Sequence, residues 1–313
     1  MKKIVSKIFE DILNVCNKDK ILIICDKKTK SIAEKFLEYG FGYGEHMICI
    51  EIKEGKFHGE EPNPEIARLM LEHDISLLIT TKSLSHTNAR KKATAKGAKI
   101  ISMPGITEDM LNRCVDIDYN KLAARNKKLL LAMKKAKIVR ITSEIGTDIS
   151  FRIYNNKIWY KTTFDKGEFH NIPMGEVFVS PIEGTANGVY FVDGSQSGVG
   201  KTIKPIKIEV NKGVCTKILG DKKAKQLLGI LKQIKSKKAF NIAEFGIGTN
   251  PKAKITGNVL EDEKVLGTCH IALGNNYSFG GKVNVPLHLD GIIKKPTIYF
   301  NNKIVMKNGK LLI

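Results

Sequence analysis

Arginine is scarce in this chain. Only six of the 52 basic residues are arginine (Arg68, Arg90, Arg113, Arg125, Arg140, Arg152), and none lies beyond position 152. Arginine makes the bidentate contacts by which proteins read bases and grip phosphates. The formal net charge of +20 is therefore carried mainly by lysine scattered over both halves, which is not the pattern of a dedicated nucleic-acid surface. Long apolar runs are missing too. ILIIC at 21–25 and LLIT at 77–80 fall far short of the roughly 20 residues a membrane span needs, so neither nucleic acid nor membrane is expected as a partner. The six cysteines (Cys16, Cys25, Cys49, Cys114, Cys215, Cys269) include no CxxC pair and predict reduced thiols in a cytoplasmic protein. The opening MKKIVSKIFEDILNVC starts with lysines, but Lys7, Glu10 and Asp11 interrupt any signal-peptide core, and the segment reads as an amphipathic helix. No serine sits in a GxSxG elbow, which removes that class of serine hydrolase.

What is present is enough for two globular domains: 313 residues, 42% of them hydrophobic and 27% charged. From Lys20 to Met103 short β-branched runs alternate with helical stretches (KILIIC, TKSIAEKFLEYG, HMICIEI, PEIARLMLEH, DISLLIT, a segment around 86–97, AKIISM), a βαβαβαβ pattern. Continuous apolar strands joined by crossovers of about a dozen residues predict a parallel sheet covered on both faces. After a helix at about 119–135 the texture changes to alternating strands, and 20 of the 27 glycines follow residue 136. The expected fold class is α/β: an N-terminal doubly wound, mostly parallel sheet over 1–135 and a C-terminal α+β metal-binding domain over 136–313, with a helix at about 221–237.

GSQSGVGKT at 194–202 ends like a phosphate-binding loop, but the glycine required five residues before Gly200 is Ser195, and the IKPIKIEV that follows reads as a strand. A glycine-rich hairpin is the better account. A second constellation carries more chemistry. Glu176 lies in MGEVFVSP, Glu244 in AEFGIGTNP, His270 and Tyr277 in GTCHIALGNNYSFGG, and His288 and Asp290 in PLHLDG. Two histidines and three carboxylates suit Zn²⁺, Co²⁺, Mn²⁺ or Fe²⁺. His288 and Asp290, two apart, project from one face of a strand, whereas Cys269 should point away from the face that carries His270. His86 reads as a loop or helix-cap residue, and His46, His58, His73 and His170 carry no spacing signal.

The segments around these residues resemble the aminopeptidase T family of two-metal metallopeptidases, closely over 170–298 and more loosely over 83–111 and 146–153. The resemblance implies Glu176, Glu244, His270, His288 and Asp290 as ligands of two divalent ions (Zn²⁺, Co²⁺ or Mn²⁺), with Tyr277 and Glu244 as catalytic residues. It also implies a homodimer. The expected activity is removal of the N-terminal residue of a small peptide. A metal-activated water would attack, a glutamate would carry protons, and Tyr277 would donate a hydrogen bond to the oxyanion. A related branch, similar to 2,5-dihydroxypyridine dioxygenase, uses the same His and HxD positions for one non-haem Fe²⁺ that opens an aromatic ring. His270, His288 and Asp290 would suffice for that triad. Retention of Glu176, Glu244 and Tyr277 together makes the peptidase the first expectation and the dioxygenase the alternative.

Overall fold

A computed structural model describes residues 1–153 and 157–313. By internal contacts the chain divides into two units, Met1–Asp118 with Lys161–Met174, and Tyr119–Tyr160 with Gly175–Ile313. This division runs differently from a single boundary at 136: the helix at Tyr119–Lys134 groups with the second unit, and a short later segment returns to the first.

The first unit opens with helix α1 (Lys2–Lys7). It then runs β1 (Lys20–Asp26), α2 (Lys30–Tyr39), β2 (His46–Ile52), α3 (Pro64–Glu72), β3 (Ile75–Ile79), α4 (Asn88–Ala95) and β4 (Lys99–Ser102), followed by α5 (Glu108–Cys114). The sheet order is β2-β1-β3-β4 with the three-residue strand Phe169–Asn171 beyond β4, and every pairing is parallel. Strand β3, ISLLI, is buried at all five positions, as a strand covered on both faces must be. The helices start where the sequence supplies caps. Asn63 accepts from the amide of Ile66 ahead of Pro64, and Thr87 and Thr107 cap α4 and α5 in the same way. His86 lies in the loop before that Thr87 cap and is exposed.

The second unit begins with α6 (Tyr119–Lys134) and includes α7 (Lys222–Gln233). Among the described residues it holds an eight-stranded and a seven-stranded sheet, both antiparallel. One apolar cluster joins them. Val139, Ile141, Phe151 and Ile208 of the first sheet pack with Val177, Val179, Phe245, Ile247, Cys269, Ile271 and Ile293 of the second, so the two sheets share a core. Residues 194–202 form a short antiparallel pair, Ser195–Gln196 with Gly200–Lys201, at the edge of the seven-stranded sheet. All six cysteines are free thiols. Among the described residues no helix is long and apolar enough to cross a membrane.

Candidate metal centre

Four adjacent strands of the seven-stranded sheet build the centre: β5 (Glu176–Val179), β6 (Ile242–Gly248), β7 (Thr268–Gly274) and β8 (His288–Lys294), in the spatial order β8-β7-β6-β5. Alternation along each strand sends Val177, Val179, Phe245, Ile247, Cys269, Ile271 and Ile293 into the shared core. The residues between them must then face the other way. Register aligns them in rows: Glu176 opposite Gly248; Phe178 opposite Gly246, which is opposite His270; Glu244 opposite Ala272, which is opposite Asp290; and Gly274 opposite His288. A register irregularity between Ile242 and Glu244 lets both Ile242 and Phe245 reach the core while Glu244 is turned to the ligand face.

Glycine and alanine in these rows make room for the donors. A Cβ placed on Gly246 would lie 2.0 Å from Nε2 of His270, and one on Gly248 would lie 2.2 Å from the carbonyl oxygen of Val265. His270 therefore occupies space that any other residue at 246 would take. The polar atoms converge. Nε2 of His270 lies 3.1 Å from Oε1 of Glu244 and 3.5 Å from Oε2 of Glu176. Nε2 of His288 lies 3.4 Å from Oε2 of Glu244 and 3.2 Å from Oδ1 of Asp290. The donor atoms fall into two overlapping groups able to hold a metal, Glu176–Glu244–His270 and Glu244–His288–Asp290, with Glu244 common to both.

Their surroundings fit a cation. His270 is fully buried, and Glu244 and Asp290 are only 6% and 7% exposed. Carboxylates this close and this dry repel one another unless positive charge sits among them. The Nδ1–H of His288 donates to the carbonyl oxygen of Asn275 at 2.7 Å, which leaves Nε2 with its lone pair for a metal. Among the described residues, Nδ1 of His270 has no hydrogen-bond partner. Burial pushes both imidazoles down, but the surrounding carboxylates outweigh it, raising His270 to about 9 and His288 well above its ordinary value. Burial likewise acts to raise Asp290 and Glu244, and the histidines facing them turn the net shift downward.

Three features escape a reading of the sequence. Lys264, 1% exposed, points its ammonium between Glu176, at 2.5 Å, and Glu263. Burial alone would lower Lys264, but the two carboxylates raise it, and burial lifts Glu263 to about 8. Lysine beside glutamate in EDEK reads as solvated surface, and nothing local marks it as buried. The role of Gly246 is the second, although the alternation of Glu244, Gly246 and Gly248 is its trace. The third is an aromatic series of Trp159, Phe178 and Phe279 that reaches His288. Of the residues singled out from sequence, the structure brings Glu176, Glu244, His270, His288 and Asp290 together. Tyr277 stands in the turn Tyr277–Phe279 and is 64% exposed.

Comparison with known proteins separates the two chemistries. Residues 54–313, a span that includes every candidate ligand, match the family model described as NicX: 2,5-dihydroxypyridine 5,6-dioxygenase. The 2,5-dihydroxypyridine 5,6-dioxygenase of Pseudomonas putida KT2440 is 25% identical over 255 residues, which cover 75% of this chain and 71% of that protein. Among solved structures, that of 2,5-dihydroxypyridine dioxygenase from P. putida KT2440 aligns over 100% of this chain and 98% of its own with a TM-score of 0.82 at 19% identity. Wild-type AmpT from Thermus thermophilus covers the same shares with a TM-score of 0.70 at 14% identity. The structural likenesses establish the mixed α/β fold, which the two enzymes share with this chain. The family match overturns the first expectation: the metallo-exopeptidase reading, with its hydrolase and protease character, is withdrawn. Its physical cause is plain. Two imidazoles and three carboxylates on one sheet face suit more than one metal chemistry, so ligand motifs alone do not decide between hydrolysis and oxygen chemistry.

Proposed function

Because the chain belongs to the NicX, 2,5-dihydroxypyridine 5,6-dioxygenase, family, we propose that it is a ferrous, ring-cleaving dioxygenase acting on a hydroxylated pyridine. The supporting observation is the convergence of two imidazoles and three carboxylates on one sheet face, inside the span the family model matches. His270, His288 and Asp290 would hold the ion as two histidines and one carboxylate, the donor set of non-haem iron oxygenases that leaves positions open. Bound Fe²⁺ supplies the redox chemistry that allows dioxygen to react with an electron-rich ring. The protein's own groups do the rest. Asn275, through its carbonyl oxygen, orients His288, and Gly246 gives His270 its place. Glu244, between the two imidazoles, is positioned to accept a proton from a ring hydroxyl. Lys264 offsets part of the negative charge through Glu176 and Glu263.

The test is anaerobic reconstitution with Fe²⁺, followed by addition of 2,5-dihydroxypyridine and then air-saturated buffer. One O₂ consumed per ring opened, with one Fe²⁺ per chain and no turnover with Zn²⁺, is the expected result. Iron-loaded protein that consumes no oxygen with this substrate would refute the reading.

A further inference from the structure

The metal ligands border an aromatic series that does not belong to the core. Trp159, the only tryptophan of the chain, sits on the short strand Ile158–Trp159 directly opposite Phe178 of β5. Its ring is parallel to that of Phe178, with an interplanar angle of 7° and centroids 6.2 Å apart. Phe279 stands edge-on to Phe178 at 5.8 Å and edge-on to the imidazole of His288 at 5.5 Å. Register places Phe178 on the same face as Glu176 and in one row with Gly246 and His270. The series therefore runs along the ligand face and ends on a ligand.

Further contacts hold these rings in place while leaving them partly exposed. The indole N–H of Trp159 donates to the carbonyl oxygen of Phe279 at 3.3 Å, and Lys157 lies 3.7 Å above the indole ring. The turn that carries Phe279 is anchored by the buried Asn276, which donates to Ser180 at 2.9 Å and to Glu183 at 3.1 Å. Yet Trp159, Phe178 and Phe279 all remain only half-buried, and Ala272, in one row with Glu244 and Asp290, adds only a methyl group to the same face. Aromatic rings are among the largest contributors of buried apolar area, and leaving three of them partly wet beside a cluster of largely buried charges forgoes that gain. A planar ring with polar substituents complements such a surface: the ring meets the aromatic wall while its hydroxyls meet the metal centre.

We propose that Phe279 and Phe178, backed by Trp159, are specificity-determining residues whose wall receives a single hydroxylated six-membered aromatic ring beside the metal centre. This rests on the ring-cleaving reading above, and the experiment keeps the two apart. Fe²⁺-loaded protein is titrated without oxygen with 2,5-dihydroxypyridine and, separately, with acetohydroxamate, an oxygen chelator that has no ring. Calorimetry gives both dissociation constants, and the emission of Trp159 reports whether the ligand arrives at the wall. The wild type should bind both, with Trp159 quenched by the pyridine. In Phe279→Leu and Phe178→Leu the pyridine should bind about three- to tenfold more weakly, as loss of an aromatic contact implies, while acetohydroxamate affinity and iron content stay the same. Unchanged pyridine affinity in both variants, or equal loss for the two ligands, overturns the wall. Should Phe279→Leu lose iron through its contact with His288, Phe178→Leu alone decides. A wild type that binds acetohydroxamate and not the pyridine refutes the ring-cleaving reading itself.

Discussion

Strands β3 and β6 are equally buried and differently built. In β3 the five residues ISLLI include four large aliphatic side chains, and both faces of the strand disappear into packed apolar surface. In β6 all seven residues of IAEFGIG are buried as well, but only one face is apolar: Ile242, Phe245 and Ile247 enter the core, while Glu244, Gly246 and Gly248 form the other side. Burial by itself therefore does not mark a core strand. A strand whose second face alternates charge with glycine has given up packing energy there, and in this protein the vacated space is filled by the imidazole of His270.

Substitutions on the two strands should separate these uses of burial. The largest effect is expected from Glu244→Gln, which removes the carboxylate that lies beside both ligand imidazoles and is placed to take the substrate proton: ring-opening turnover should be lost, and iron affinity should fall by up to about 100-fold, read by competition with a chromogenic chelator. Next comes Gly246→Ala. Its methyl group cannot coexist with the His270 ring where it stands, so metal affinity should drop by about 10- to 100-fold with a smaller change in unfolding midpoint. If Gly246→Ala binds iron normally, the account of the small-residue face is wrong. The converse is expected of Leu78→Ala in β3, which opens a cavity among Leu22, Ile24, Met70 and Ile100: a loss of about 2–4 kcal/mol in denaturant unfolding with iron stoichiometry intact. The smallest effect belongs to Tyr277→Phe. An exposed hydroxyl contributes little, so stability should stay within about 0.5 kcal/mol and iron affinity should be unaltered. A large loss of metal in that variant would place Tyr277 among the ligands.

Much of this was legible in the sequence because it is local. Period-two and period-3.6 patterns located β1 to β4, their helices, α6 and α7, since each element declares its buried side by spacing alone. The donors were legible because His and Asp two residues apart on a strand share a face, and because Glu, Gly and His cluster where apolar residues would otherwise continue. The choice of chemistry was not legible in the same way. Glu176, Glu244 and Tyr277 weighed toward hydrolysis when counted as ligands and acids, but the span that holds them matches the family described as 2,5-dihydroxypyridine 5,6-dioxygenase. Reaction type depends on what surrounds a metal as much as on what binds it.

The sequence by itself determined which residues are buried as strands and helices and which polar groups stand on a common strand face, because those relations span a few residues. Only the tertiary structure decided which faces meet. Antiparallel register set Gly246 beside His270 and Ala272 between Glu244 and Asp290. Lys264 was drawn inward to Glu176, 88 positions away, and Trp159 was brought to Phe279 across 120. Such pairings are fixed by the packing of whole sheets, whose energy is shared over many side chains and is written at no single position.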